Sequence, residues 1–101
     1  MKKALILVDL QNDFMPGGAL AVDKADEVIP VANRVQQQFK YVIATQDWHP
    51  EDHICFAKNH HGHFPGEFIH QAGLSQMLWP VHCVQNTKGA EFVKNLKLDH
   101  I

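Results

Sequence analysis

The amino-acid sequence predicts an α/β fold, a parallel β-sheet with flanking helices, and two observations carry that expectation. The first is a pair of short apolar runs, Ala4-Leu5-Ile6-Leu7-Val8 and Tyr41-Val42-Ile43-Ala44-Thr45, each followed closely by a carboxylate, Asp9 or Asp47. Continuous apolar runs of this length are the signature of strands buried on both faces. The second is the segment between them, where Val28, Val31, Ala32, Val35 and Phe39 fall along one helical stripe. Together they make a βαβ unit.

Taken in order, the first strand is followed by a turn-rich stretch from Pro16 to Lys24 that carries Gly17 and Gly18. The helix is expected to start near Asp26. Pro30 then sits in its first turn, where the missing N–H removes no intrahelical bond, and Asp26 and Glu27 suit the positive end of the dipole. After the second strand, residues 49–80 form a long, weakly periodic segment rich in His, Gly and Pro, the kind of loop that usually carries function. A helical turn or two is expected from Gln71 to Leu78, and another short segment from Gly89 to Leu96. Two buried parallel strands need cover on both faces, yet one convincing helix is present and no further strand precedes Ile101. Residues 1–101 are therefore expected to form part of a single α/β domain whose architecture is incomplete in this chain.

Composition narrows the partners. With 101 residues, 46% apolar and 20% charged, the chain suits one soluble domain or a piece of one. A formal charge of -2 and the absence of a Lys/Arg run disfavour nucleic acid and anionic membrane surfaces, which leaves a small molecule as the expected partner. No apolar stretch reaches membrane-spanning length, and the opening run breaks at Asp9 without a cleavage signature, so a cytoplasmic protein is expected. Cys55 and Cys83 are expected to be reduced.

The chemistry concentrates where the histidines do. Eight are present and most lie between His49 and His82. In open parallel sheets the ligand site lies beyond the carboxyl ends of the strands, where Asp9 and Asp47 both fall, so the two acids are expected to face one crevice. Asp47, His49 and His53 are close in sequence, and His82 can return to them across the long loop. Three or four nitrogen and oxygen ligands make a divalent-metal site suited to zinc, iron or manganese. The competing reading is that Asp47 caps a turn and the histidines are solvated; His60, His61, His63, His70 and His100 are assigned to solvent outright. Cys83 adjoins His82, but neighbours on extended backbone point to opposite sides, so a structural or incidental thiol is expected there. Phe14 and Trp79 are either core or lid aromatics, or flat walls for a planar ring.

Three ordered signatures place these residues in a family context: Val8-Asp9-Leu10-Gln11-Asn12-Asp13-Phe14 with Pro16-Gly17-Gly18-Ala19-Leu20-Ala21-Val22, then Thr45-Gln46-Asp47-Trp48-His49-Pro50, then Trp79-Pro80-Val81-His82-Cys83-Val84-Gln85. The chain resembles the nicotinamidases (pyrazinamidases) of the isochorismatase-like cysteine hydrolase family. That resemblance implies a Rossmann-like three-layer fold. It also implies that Asp9 helps deprotonate a cysteine nucleophile, that Asp47, His49 and His82 bind a divalent metal, zinc first and iron or manganese as alternatives, and that His53 is a less uniform fourth ligand. By the same resemblance Phe14 and Trp79 pack on a pyridine ring whose nitrogen is held by the metal or its water. The implied reaction converts nicotinamide, or a pyrazinamide-like amide, to the acid and ammonia through a cysteine thioester, in NAD salvage. The family's lysine and nucleophilic cysteine have no matching positions; Lys88, Lys94, Lys97 and Cys83 lie in the wrong context. The chain is thus expected to correspond to the N-terminal half, inactive alone, and to hide exposed apolar surface in a homo-oligomer or against the missing C-terminal half. The alternatives are a non-catalytic metal-binding fragment and another isochorismatase-like cysteine hydrolase.

Overall fold

A continuous apolar strand has two faces to bury, and here only one is covered. The computed structural model describes residues 2–101. Strands β1 (Ala4–Val8) and β2 (Tyr41–Thr45) pair in parallel, with Leu5 opposite Val42, Ile6 opposite Ile43 and Leu7 opposite Ala44. The predicted strands and their crossover through helix α1 (Val28–Gln36) are present. Because side chains alternate along a strand, Leu5, Leu7, Val42 and Ala44 share the face turned to α1. Leu7 and Val42 join Met15, Ile29, Ala32 and Leu96 in one buried cluster. On the opposite face Ile6, Val8 and Ile43 are 57%, 64% and 54% exposed. Burial on both faces therefore does not hold in this chain, because one helix can cover only one side of a two-stranded sheet.

The helix presents the expected stripe only in part, with Ala32 buried and Phe39 packed against the core. A short 3-10 turn (Ala25–Glu27) leads into α1, and Pro30 is its third residue, within the first turn as anticipated. Ile29, Ala32 and Gln36 are buried, whereas Val28 and Val31 face solvent. Both sets fit a period of 3.6, and the polar Gln36 hides the true stripe from a hydrophobicity pattern. Its Nε2 donates to the Lys97 carbonyl at 3.2 Å, which offsets the burial of part of its amide.

The segment from Gln71 to Leu78 is not helical. Strands β3 (Phe68–Gln71) and β4 (Leu74–Met77) form an antiparallel hairpin in which Gln71 faces Leu74. Its two-residue loop places Ala72 at φ 52° and Gly73 at φ 80°, the pair of positive angles that suits the right-handed twist of a tight hairpin. Ala72 lacks the Asn or Asp that usually signals this turn, which is why the sequence conceals it. After the loop region, a 3-10 turn (Lys88–Ala90) stands where a further short segment was expected. The chain beyond it runs back along the end of β1, with Gln11 bridged to Phe92 and the Val93 N–H donating to the Leu10 carbonyl at 3.0 Å.

The Cα radius of gyration is 16.0 Å, against about 13 Å for a compact domain of this length. The molecule is correspondingly elongated, with extents of 48 × 31 × 24 Å. No helix among the described residues is long and apolar enough to cross a membrane.

The two faces of β1 should respond differently to truncation. Leu7→Ala is expected to lose about 2–4 kcal/mol of stability in urea unfolding, and Ile6→Ala less than about 1 kcal/mol. Equal losses would contradict the assignment of faces.

Candidate metal centre

The site begins with backbone supports. Just past β1, the side chain of Gln11 is completely buried. Its Nε2 donates to the carbonyls of Asp47 and Ala90, both at 2.8 Å, and its Oε1 accepts the Asp47 N–H at 2.8 Å. Asp47, two residues beyond β2, is thus held by both its N–H and its C=O. His49 is tied in turn to the segment after His82: its N–H donates to the Cys83 carbonyl at 2.9 Å, and the Gln85 N–H donates to its carbonyl at 2.8 Å. This parallel bridge between His49 and Val84 brings a residue 33 positions away in sequence, His82, to the same place.

The side chains converge accordingly. His49 Nε2 lies 3.4 Å from Asp47 Oδ1, and His82 Nε2 lies 3.3 Å from Asp47 Oδ2. His82 Nδ1 is 2.8 Å from the Pro80 carbonyl. A carbonyl only accepts, so Nδ1 carries the proton and a neutral ring presents the Nε2 lone pair to the carboxylate. His49 Nδ1 is buried without a hydrogen-bond partner among the described residues. Lone pairs facing a carboxylate repel unless a proton or cation lies between them. One ligand atom from each of Asp47, His49 and His82 lies within 4.8 Å of the other two, a span one ion can bridge. The residues therefore fit a divalent cation of the kind that imidazole and carboxylate donors prefer.

His53 stands apart from this triad. It is beside His49, with ring centroids 4.9 Å apart, but its donor atom groups with His49 and Cys55. Its Nδ1 accepts the Cys55 N–H at 3.0 Å. Beneath all three imidazoles lies Phe56, fully buried, with its ring centroid 5.1 Å from that of His49, 5.6 Å from that of His82 and 6.1 Å from that of His53. Sequence reasoning passed over Gln11, Cys55 and Phe56, since an isolated amide, thiol or phenyl ring carries no spacing signal.

Phe14 and Trp79 line one cavity of about 410 Å³ with Asp47, His49, His53, Cys55 and His82. The Phe14 ring centroid is 5.7 Å from that of His82, and the Trp79 backbone is anchored by its N–H to the Cys55 carbonyl at 2.8 Å. Asp9 opens instead into a neighbouring cavity with Met15 and Val22, and Phe14 borders both. The two acids thus face adjacent cavities that share Phe14, because the turn carrying that ring lies between the strand ends. Asp9 has φ 53°, and its Oδ1 accepts the Thr45 hydroxyl at 2.6 Å. The histidines assigned to solvent, His61, His63, His70 and His100, are exposed; His60 is half-buried, its Nε2 2.6 Å from the Ile54 carbonyl.

Both cysteines are buried and unbridged. Cys83 does not lie on extended backbone as expected. Its φ is 47°, and its N–H donates to Asp13 Oδ2 at 2.8 Å. Burial, followed by the charges of Asp47, Asp13 and Asp9, pushes its thiol up to about 12. Burial and Asp47 also raise the Cys55 thiol.

Comparison with known proteins gives the chain a family. Residues 3–100 match the isochorismatase domain family. The nicotinamidase of Acinetobacter baylyi is 50% identical over 95 residues, covering 94% of this chain and 44% of that protein. Among solved structures, the nicotinamidase/pyrazinamidase of Acinetobacter baumanii superposes with a TM-score of 0.91 at 50% identity, over 96% of this chain and 47% of that one. The pyrazinamidase of Pyrococcus horikoshii in complex with zinc gives a TM-score of 0.73 at 45% identity, over 98% and 49%. This chain spans about half the length of the curated relatives it matches.

Two outcomes test the site. Gln11→Ala frees the Asp47 backbone and is expected to weaken zinc binding by roughly 10–100-fold in chelator competition; unchanged affinity would show that the amide does not position the carboxylate. At pH 8 Cys83 is expected to alkylate on the order of a thousand-fold more slowly than a free cysteine, because a raised pKa leaves so little thiolate below it. Mass-resolved labelling reads that rate directly.

Proposed function

The chain belongs to the isochorismatase domain family, and from that premise we propose that it forms the metal- and ring-binding part of a nicotinamidase, which hydrolyses nicotinamide to nicotinic acid and ammonia. The observation that carries this reading is one carboxylate, Asp47, with imidazole nitrogens 3.4 and 3.3 Å from its two oxygens, in a cavity also lined by Phe14 and Trp79.

In this reading Asp47, His49 and His82 hold one divalent ion, zinc as in the Pyrococcus relative, with iron or manganese compatible with the same donors. His53 is at most an outer participant, since its Nδ1 is engaged by the Cys55 N–H. When bound, the ion supplies Lewis acidity and a water or an open position for the ring nitrogen. Phe14 and Trp79 hold the flat ring by their faces and exclude water from it. Asp9, steadied by the Thr45 hydroxyl, accepts the proton of a cysteine thiol and so produces the thiolate that attacks the carboxamide carbon. Neither Cys55 nor Cys83 suits that role, being buried thiols with raised pKa values. The nucleophile and the family's lysine are assigned to a complementary C-terminal half, whose elements would cover Ile6, Val8 and Ile43. The product is an acid that feeds pyridine-nucleotide salvage in the cytoplasm, and pyrazinamide-like amides fit the same pocket chemistry.

Ammonia release from nicotinamide tests the assignment, with the 101-residue chain supplied with zinc, iron or manganese and compared with a thiol-blocked control. No thiol-sensitive turnover is expected from the chain alone. Turnover is expected when the C-terminal half of the Acinetobacter baylyi relative is added, and its loss is expected in Asp47→Ala. Thiol-sensitive turnover by the chain alone would make Cys55 or Cys83 the nucleophile. Metal binding without turnover in any combination would favour a non-catalytic metal-binding module.

A further inference from the structure

A further cavity lies at the other end of the parallel sheet. Its volume is about 350 Å³, and it is lined by Lys2, Lys3, Gln38, Phe39, Lys40 and Tyr41, residues at or just before the starts of β1 and β2. The strands themselves, at a rise of about 3.3 Å per residue, put roughly 16 Å between this hollow and the ends that carry Asp9 and the Asp47 site. The hollow shares no lining residue with the metal-site cavity.

Its charge is one-sided. Three of the chain's nine Lys and Arg residues meet there although the chain as a whole has a formal charge of -2, and no carboxylate belongs to the described lining. The strand register produces the crowding: Ala4 pairs with Tyr41, so Lys3 and Lys40 immediately precede the first pair on adjacent strands. Lys58 has Glu51 as an ionic partner, whereas Lys2, Lys3 and Lys40 have none among the described residues. Like charges on neighbouring strands are destabilising, so an anion between them relieves a repulsion as well as adding an attraction. Lys40 is also oriented, its Nζ 5.5 Å from the centroid of the Tyr41 ring.

We propose that this hollow binds a compact polyphosphate, the di- or triphosphate chain of a small molecule, through Lys2, Lys3 and Lys40. The site goes beyond the proposed hydrolysis and does not depend on the metal centre. A lone carboxylate would leave most of the positive charge unmatched, while a phosphate chain brings several negative charges within reach of three ammonium groups. Lysine suits that role as a point charge on a flexible stem with rotatable donors. The volume lies at the lower end of small-ligand cavities, which span about 300–1,000 Å³. Nucleic acid fits less well, because three lysines gathered in one hollow form no track for a run of phosphates and the net charge of the chain is negative.

Inorganic triphosphate is the probe, titrated calorimetrically into the metal-free 101-residue chain at low ionic strength. One-to-one saturable binding is expected, weakening as salt is added, with inorganic monophosphate bound about ten-fold more weakly or worse. Lys2→Gln, Lys3→Gln and Lys40→Gln should each weaken triphosphate binding by about 5- to 10-fold. A control with Lys58, Lys94 and Lys97 all changed to Gln loses three charges outside the hollow and should retain the wild-type affinity within about two-fold. ATP serves as a second probe for the source of the phosphate chain. Equal affinity for ATP and triphosphate assigns the chain alone, and tighter ATP binding that Tyr41→Leu removes assigns a nucleotide; either supports the site. No saturable triphosphate binding by the wild-type chain would overturn the proposal. So would an equal loss in the control variant, which would reduce the effect to overall charge, or full affinity in all three single variants. None of these outcomes bears on zinc binding at Asp47 or on amide hydrolysis.

Discussion

The arrangement depends on one buried amide. Gln11 cannot leave its polar atoms unpaired in the interior without a cost of about 1–3 kcal/mol for each lost partner, and it meets that demand by bonding Asp47 twice and Ala90 once. The end of β1, the end of β2 and the returning C-terminal segment are thereby locked together at one point. From Ala90 the constraint passes to Gly89, where a side-chain carbon would lie 2.2 Å from Asp13 Oδ2, so only glycine fits without displacing that carboxylate. Asp13 in turn accepts the Cys83 N–H and stabilises the left-handed backbone that follows His82. Asp47 and His82 are therefore positioned by a connected set of bonds rather than by separate loops.

Electrostatics complete what the backbone begins. The Pro80 carbonyl selects the tautomer of His82, and the hydrophobic ring of Phe56 packs under the imidazoles and keeps water from their undersides. A carboxylate facing two imidazole nitrogens in a partly buried cavity calls for a proton or a cation between them, and one divalent ion serves both imidazoles at once. Burial, reinforced by the same negative charge that would hold a cation, suppresses ionisation of Cys83 and Cys55. Neither thiol is thereby suited to act as the nucleophile, which must be a thiolate.

Around the site, the fold is asymmetric. One sheet face packs on α1 and carries the core; the other displays Ile6, Val8 and Ile43. Such a face is normally covered in parallel sheets, because apolar area left in water forfeits about 25 cal/mol per Å² of the favourable burial term. Gln76 of the β3–β4 hairpin lines the metal-site cavity.

The sequence by itself determined the β1–α1–β2 unit, the placement of Asp9 and Asp47 beyond the strand ends, and the candidate ligands Asp47, His49 and His82. It could do so because apolar runs, helical periodicity and ordered motifs are local patterns. What only the tertiary structure decided depends on partners distant in the chain. The buried stripe of α1 turned on Gln36 finding the Lys97 carbonyl, and the Gln71–Leu78 segment became a hairpin through two left-handed residues that no standard turn signature marks. The separation of the Asp9 and Asp47 cavities by Phe14, the pairing of His53 with Cys55 and the clamp by Gln11 likewise arise from contacts across tens of residues. Hydrophobic periodicity records which residues avoid water, but not which buried polar atom must find which partner, and that second requirement shaped the site.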